Sequence, residues 1–168
     1  AHGRVALLKP AIPDVSLFHA WACDRSGNAI FTPPYSENLW GAMAAKEGAL
    51  VTCERIVDTA FIRRHAAFAR LPGRYVKAVV AAPYGAHPGG FYGAGQPAFG
   101  EYTEDYDFII DFRKANRDPA RFEKWLREWV LDVADHDAYI AKVGAGRMEE
   151  LAARAAPGRW REELAAFE

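Results

Sequence analysis

Short apolar runs and turn-forming residues alternate along the first half of the chain. Runs of strand length that are rich in β-branched residues predict four strands, at residues 14–22, 29–31, 49–57 and 75–82. Apolar residues at helical spacing predict a helix that Ser36 caps and Gly48 ends, and a second helix from Asp58 to about Phe68. This order predicts an α/β fold with a largely parallel open sheet flanked by helices, in which the strand at 75–82 is buried and central.

Helical spacing dominates the last third of the chain. Apolar residues at i, i+3, i+4 and i+7 predict a helix over residues 103–115. Asp118 is suited to cap the next helix, because Pro119 then occupies the first helical position. Aromatic and aliphatic residues at core spacing continue beyond it. We therefore predict an all-helical C-terminal third.

The length of 168 residues, of which 51% are hydrophobic, suits one domain with a sizeable core. We expect a single domain, 1–168, with a β/α core over about 1–92 and a helical extension over about 101–168. Cys23 and Cys53 stand in apolar, strand-like contexts, which predicts reduced core thiols and a cytoplasmic location.

Composition and charge exclude several classes of protein. The formal net charge is −1 and there is no basic run, which argues against binding to a nucleic-acid backbone. No apolar run approaches the roughly 18 residues of a membrane-spanning helix, so no membrane association is expected. The spacing of His and Cys residues does not match a zinc site, and no metal is expected.

The segment that follows the predicted strand at 75–82 is the best candidate for a binding site. It is rich in Pro and Gly and also carries one His and several aromatic residues, more than a turn needs. Ligands in open α/β sheets bind beyond the carboxyl ends of strands. The candidate substrate- or CoA-binding residues are Gly85, Ala86, His87, Pro88, Gly89 and Tyr92. The alternative is a turn with an incidental His.

Three separated sequence patterns together resemble one family. They are DVxLxHAxxxDxxGN at 14–28, VTxERIV at 51–57, and LPGxYVxAVV followed by PYGAHP and Tyr92 at 71–92. Their order and spacing resemble the α subunit of family I CoA-transferases of the glutaconate CoA-transferase type. They also resemble a branch of that family that hydrolyses a CoA ester and opens a ring in steroid degradation. The resemblance covers about residues 5–145.

The resemblance implies a heteromeric enzyme whose active site lies at the interface between α and β subunits. It implies a glutamate of the β-type subunit that attacks an acyl-CoA thioester, with a small carboxylic acid as the other substrate and no permanently bound cofactor. Family α subunits begin with a Gly-rich half that the matched patterns do not include. We therefore expect this chain to be the C-terminal portion of an α subunit, whose partners are the β-type subunit and that N-terminal half.

Two glutamates are weak catalytic candidates. Ser36, Glu37 and Asn38 repeat part of the Ser-Glu-Asn-Gly sequence that carries the nucleophile in family β subunits, but Leu39 replaces the glycine. Ser and Glu are also common at helix starts, so both interpretations of Glu37 stay open. Glu54 lies in a predicted strand and needs a donor such as Arg55, either for a structural ion pair or for a catalytic role.

The sequence thus predicts a subunit of a CoA-transferase that moves CoA between an acyl-CoA and a carboxylic acid. A CoA-ester hydrolase of the same family is the first alternative. A non-catalytic module that completes a partner subunit is the second.

Overall fold

The computed structural model describes residues 3, 6–32, 39–93, 95–96 and 98–155. These residues form two compact units, one within residues 1–81 and the other within residues 82–168. The predicted roles of Ser36 and Glu37 lie outside the described residues.

The first unit contains a five-stranded sheet and two short helices. Its elements in chain order are β1 (Ser16–Asp24), β2 (Ala29–Ile30), α1 (Leu39–Ala44), β3 (Ala49–Val57), α2 (Thr59–Arg64), β4 (Ala69–Leu71) and β5 (Val76–Ala81). Single 3₁₀ turns at Ala66–Phe68 and Gly73–Tyr75 flank β4. The predicted cap is confirmed, since the Asp58 carboxylate accepts from the Phe61 amide.

The sheet has the order β4-β2-β1-β3-β5. β1 pairs in parallel with β3, and β3 in parallel with β5, whereas β2 pairs antiparallel with both β1 and β4. The open α/β sheet is thus confirmed, but it is mixed rather than largely parallel. The physical reason is the tight turn between β1 and β2, because so short a connection can join only antiparallel strands.

One face of this sheet packs against α1. The other face is covered at Trp21, which stacks on Phe61 of α2, but carries exposed apolar residues nearer the start of β1 and β3. The buried cluster contains Ala20, Val51 and Cys53 together with Leu39 and Ala42 of α1. Because side chains alternate along a strand, their neighbours Leu17, Leu50 and Val80 point to the opposite face, where they are exposed. Cys23 and Cys53 are free, buried thiols.

The prediction of a buried central strand at 75–82 is wrong. β5 lies at one end of the strand order, and four of its six residues are exposed, with Val80 at 56%. An apolar run indicates strand propensity, but it does not indicate how many neighbours the strand has.

The second unit is helical, which confirms the predicted C-terminal third. Its helices are α3 (Tyr106–Ala115), α4 (Pro119–Leu126), α5 (His136–Val143) and α6 (Ala145–Ala155), and α4 continues into a π-helical turn at Arg127–Leu131. The carboxylates of Asp105, Asp118 and Asp135 cap α3, α4 and α5 by accepting from backbone amides. The cap at Asp118 is the predicted one, whereas α3 begins later than predicted because Asp105 is its cap.

Candidate functional site

The candidate loop is a series of tight turns held by backbone hydrogen bonds within the loop. The amides of Gly85, His87 and Gly89 donate to the carbonyls of Ala82, Tyr84 and Ala86 at 2.9, 3.0 and 2.8 Å. The Ala86 amide donates to the Tyr102 hydroxyl at 3.1 Å. These four amides are therefore engaged within the unit, so the loop offers a rigid wall rather than a cradle of free N–H donors.

His87 is buried beneath this loop, with only 1% of its side chain exposed. Its Nδ1 lies 2.7 Å from the Tyr139 hydroxyl, and its Nε2 lies 3.3 Å from Oδ2 of Asp105. A carboxylate can only accept, so Nε2–H donates to Asp105 and Nδ1 accepts from Tyr139. Burial lowers the pKa of His87, and outweighs the opposing effect of Asp105, so the ring is neutral.

Asp105 is the anionic centre of this arrangement. Arg147 of α6 donates to its two carboxylate oxygens, from Nε at 2.9 Å and from Nη2 at 2.6 Å. This two-point contact is the main cause that holds the pKa of Asp105 well below its usual range, against the opposing effect of burial. Burial, assisted by the charge of Asp105, raises the pKa of Tyr139 to about 12. We call Tyr139, His87, Asp105 and Arg147 the His87 cluster.

Tyr92, the other polar side chain among the loop candidates, is also engaged. Its hydroxyl donates to Oε2 of Glu104 at 2.6 Å. Burial, together with this carboxylate, raises the pKa of Tyr92 above its ordinary value. A Cβ added to Gly90 would lie 2.9 Å from the same hydroxyl, so the backbone approaches the ring too closely for a larger residue.

Glu54 belongs to the first unit, where its partner is His19 rather than the expected Arg55. Oε1 of Glu54 lies 2.8 Å from Nε2 of His19, and Nδ1 of His19 lies 2.9 Å from the Thr52 hydroxyl. The register of the parallel strands β1 and β3 places His19 directly opposite Thr52. Arg55 instead lies over the Trp21 ring. The arrangement places a carboxyl group and an imidazole side by side on a sheet face.

The residues Asp24 and Asn28 of the first sequence pattern build a turn. The Asp24 carboxylate, which is buried, accepts from the amides of Ser26 and Asn28, the Asn28 side chain and the Thr59 hydroxyl, at 2.9 to 3.0 Å. Burial alone would raise its pKa, but these hydrogen bonds outweigh it and lower the pKa. Asn28 Oδ1 then accepts from the Gly73 amide at 3.0 Å, so this pattern serves the fold.

Three members of the His87 cluster were missed in the sequence. Asp105, Tyr139 and Arg147 stand 18, 52 and 42 residues from the partners they contact. Such separations leave no periodic signal, and only the role of Asp105 as a helix cap could have been found, from its position before an apolar helical pattern.

The described part of the chain contains no cluster of His, Cys, Asp or Glu that could hold a metal ion. None of the helices in the described residues is long and apolar enough to cross a membrane.

Comparison with known proteins gives consistent matches. Residues 1–82 match the family model described as coenzyme A transferase. The A-type subunit of glutaconate CoA-transferase from Acidaminococcus fermentans is 36% identical over 147 residues, which are 88% of this chain and 43% of that relative. The A-type subunit of 3-oxoadipate CoA-transferase from Pseudomonas knackmussii is 29% identical over 144 residues, 86% of this chain and 48% of that relative.

The fold agrees with these sequence matches. The crystal structure of glutaconate coenzyme A-transferase from Acidaminococcus fermentans superposes with a TM-score of 0.77 at 36% identity, over 86% of this chain and 43% of that one. The present chain therefore spans less than half the length of the relatives it matches.

Proposed function

Because the chain belongs to the coenzyme A transferase family, we propose that it forms part of an enzyme that moves CoA between an acyl-CoA thioester and a carboxylic acid. The observation that carries the proposal is the match to the A-type subunit of glutaconate CoA-transferase, which extends over 88% of the chain at 36% identity. It covers the sheet as well as the helical unit, so it does not depend on one motif.

We infer that a β-type subunit completes the enzyme and contributes the nucleophile. Two relatives are named as A-type subunits, which supports a second kind of subunit. In the proposed reaction a glutamate of the partner attacks the thioester carbonyl, which gives an acyl–glutamyl anhydride and CoA thiolate. The thiolate then attacks the glutamyl carbonyl, releases the acyl group as a carboxylate and leaves a glutamyl-CoA thioester. The second carboxylic acid accepts its CoA by the reverse steps.

The residues of this chain have a positioning role in the proposal. The loop from Gly85 to Tyr92 supplies a fixed wall, since its turns and the His87 cluster hold it in place. His87 positions the loop rather than donating to substrate, because both ring nitrogens already have partners. Glu54, bonded to His19, places one carboxyl group on the sheet face.

Reconstitution with a β-type subunit tests the proposal. The 168-residue chain should copurify with such a subunit, and the complex should exchange CoA between acetyl-CoA and a panel of dicarboxylates. We expect the purified chain alone to be inactive. Robust turnover by the chain alone would contradict the assignment of the nucleophile to a partner.

The same assay separates the alternatives. Thioester cleavage that proceeds without a carboxylic acid acceptor would favour the CoA-ester hydrolase. A stable complex that neither transfers CoA nor cleaves the thioester with any substrate would favour the non-catalytic module.

A further inference from the structure

An apolar pocket of about 370 Å³ lies within the second unit. Five aromatic rings form most of its wall, namely those of Phe108, Phe112, Trp125, Trp129 and Tyr139. Pro88, Ile109 and Val130 complete the apolar lining. The pocket thus borders the candidate loop at Pro88 and the His87 cluster at Tyr139, to which the proposed function gives a positioning role.

Contacts with residues outside the lining hold three of these five rings. Trp125 donates from Nε1 to Oδ2 of Asp111 at 3.1 Å, and the Tyr139 hydroxyl donates to His87 at 2.7 Å. The ammonium of Lys142 lies 4.6 Å from the centroid of the Trp129 ring. Side chains that are already held in place lose little freedom when a ligand binds, so the pocket is pre-organised.

The local backbone also departs from a regular helix at this point. Trp129 and Val130 lie in the π-helical turn Arg127–Leu131, and the ammonium of Lys142 donates to the Glu128 carbonyl in the same turn. The turn ends α4 rather than interrupting a longer helix, and it places Trp129 and Val130 in the wall of the pocket.

The lining selects the chemistry of a ligand. No charged side chain among the described residues lines the pocket, and the hydroxyl of Tyr139 is already engaged with His87. Phe108 meets Trp125 and Trp129 edge to face, with centroid distances of 5.4 and 4.8 Å. The exposed edges and faces of these rings favour binding of another aromatic ring over a flexible chain. The reason is that the quadrupoles of two aromatic rings attract in this geometry.

The size agrees with one ring system. A dry apolar cavity of about 150 Å³ can hold benzene, and ligand pockets generally span about 300–1,000 Å³. The present pocket is therefore large enough for a substituted ring.

We propose that this pocket is a binding site for one compact aromatic ring, whose polar or charged substituents stay outside. Binding of the ring can be measured without CoA transfer, so a negative result for one proposal does not contradict the other.

Titration of the ¹⁵N-labelled 168-residue chain with benzyl alcohol tests the proposal. The indole N–H signals of Trp125 and Trp129, assigned through single Trp→Phe variants, should shift saturably, while those of Trp21 and Trp40 stay fixed. Cyclohexanol and 1-hexanol should each bind at least about threefold more weakly than benzyl alcohol, because neither has an aromatic ring.

Two pairs of variants provide the controls. Val130→Phe places bulk in the pocket, whereas Leu131→Phe makes a similar change beside it, at a similarly exposed position (53% and 59%). Ile109→Phe and Ile110→Phe form a second such pair in α3, which keeps the test valid if Val130→Phe does not fold. The pocket variant of each pair should weaken binding by about tenfold, and its control by less than about twofold.

The proposal is overturned if the Trp125 and Trp129 signals do not shift saturably. It is equally overturned if pocket and control variants weaken binding alike, or if cyclohexanol or 1-hexanol binds as tightly as benzyl alcohol.

Discussion

His87 ties the candidate loop to the helices of the second unit through its two ring nitrogens. Tyr139 belongs to α5, and Asp105 caps α3 and is held in turn by Arg147 of α6. A single neutral imidazole thus joins two helices directly and a third through Asp105. The cluster is fully satisfied, and a buried polar network of this kind stabilises a structure only while each member keeps its partner.

We expect His87→Ala to destabilise the second unit by about 2–3 kcal/mol, because it opens a cavity and leaves the Tyr139 hydroxyl without its acceptor. The free energy of unfolding in urea, followed by tryptophan fluorescence, measures this. His136→Ala is the matched control, since the His136 ring donates to the Pro83 carbonyl at 2.7 Å in an exposed hydrogen bond. An equal loss of stability in the two variants would contradict a special role for the buried His87 cluster.

The stability should also depend on pH through His87. Its folded-state pKa lies below the ordinary value of 6.5, so the unfolded chain binds the proton more readily. Stability is therefore complete above that value and falls as the pH is lowered, by at most about 1.4 kcal/mol per pH unit. Asp105, Arg147 and Tyr139 keep their charge states over this range. If the free energy of unfolding fell equally in the wild type and in His87→Ala between about pH 7.5 and about pH 5.5, His87 would not be the source of the pH dependence.

Sequence reasoning identified His87 as a candidate binding residue but not the partners of its two ring nitrogens. The composition of the loop singled out the residue, because a turn does not need an imidazole. Its partners depend on how four separate segments pack, which no local pattern records. Glu54 shows the same limit, because its donor His19 comes from the neighbouring strand through the parallel register.

At the scale of elements, the sequence predicted the features that depend on neighbouring residues, namely strand bounds and helix caps. β3 has the predicted bounds, Ala49–Val57, and the caps Asp58 and Asp118 function as predicted. β4 was missed because its three residues follow a helical segment directly and are too few for a strand pattern. The edge position of β5 depends on the whole sheet, so its sequence could not reveal it.

Gly73 shows how tightly two elements meet. A Cβ at this position would lie 1.9 Å from the Ser26 carbonyl oxygen, in the turn that follows β1. We expect Gly73→Ala to cost at least about 2 kcal/mol, because the turn and its Asn28 hydrogen bond must shift. Thermal unfolding followed by circular dichroism measures the change.

Gly41→Ala is the control for this prediction. Gly41 lies in α1, and its added Cβ would meet only the Ser16 hydroxyl oxygen at 3.9 Å. Alanine is the better helix former, so this variant should be neutral or more stable by up to about 1 kcal/mol. Similar destabilisation by both substitutions would show that the close approach at Gly73 is not the cause.

At the scale of the whole molecule, the exposed apolar residues on one face of the sheet are the feature that bears on assembly. Leu17 and Leu50 lie directly opposite each other in the register of β1 and β3, and both are exposed, as is Val80 of β5. Exposed apolar residues grouped on one face of a sheet are typical of an interaction site. It supports the proposal that the chain functions together with a further polypeptide.

This face should also govern how the isolated chain behaves in solution. We expect Leu17→Glu to reduce self-association of the purified chain, measured by light scattering, because the charge interrupts the apolar patch next to Leu50. Leu7→Glu introduces the same charge at a residue that is more exposed, 95% against 76%, but lies outside the sheet. If exposure or net charge alone controlled association, Leu7→Glu would be at least as effective. A clear reduction by Leu17→Glu only is the result expected from a patch on the sheet, and equal effects would contradict it.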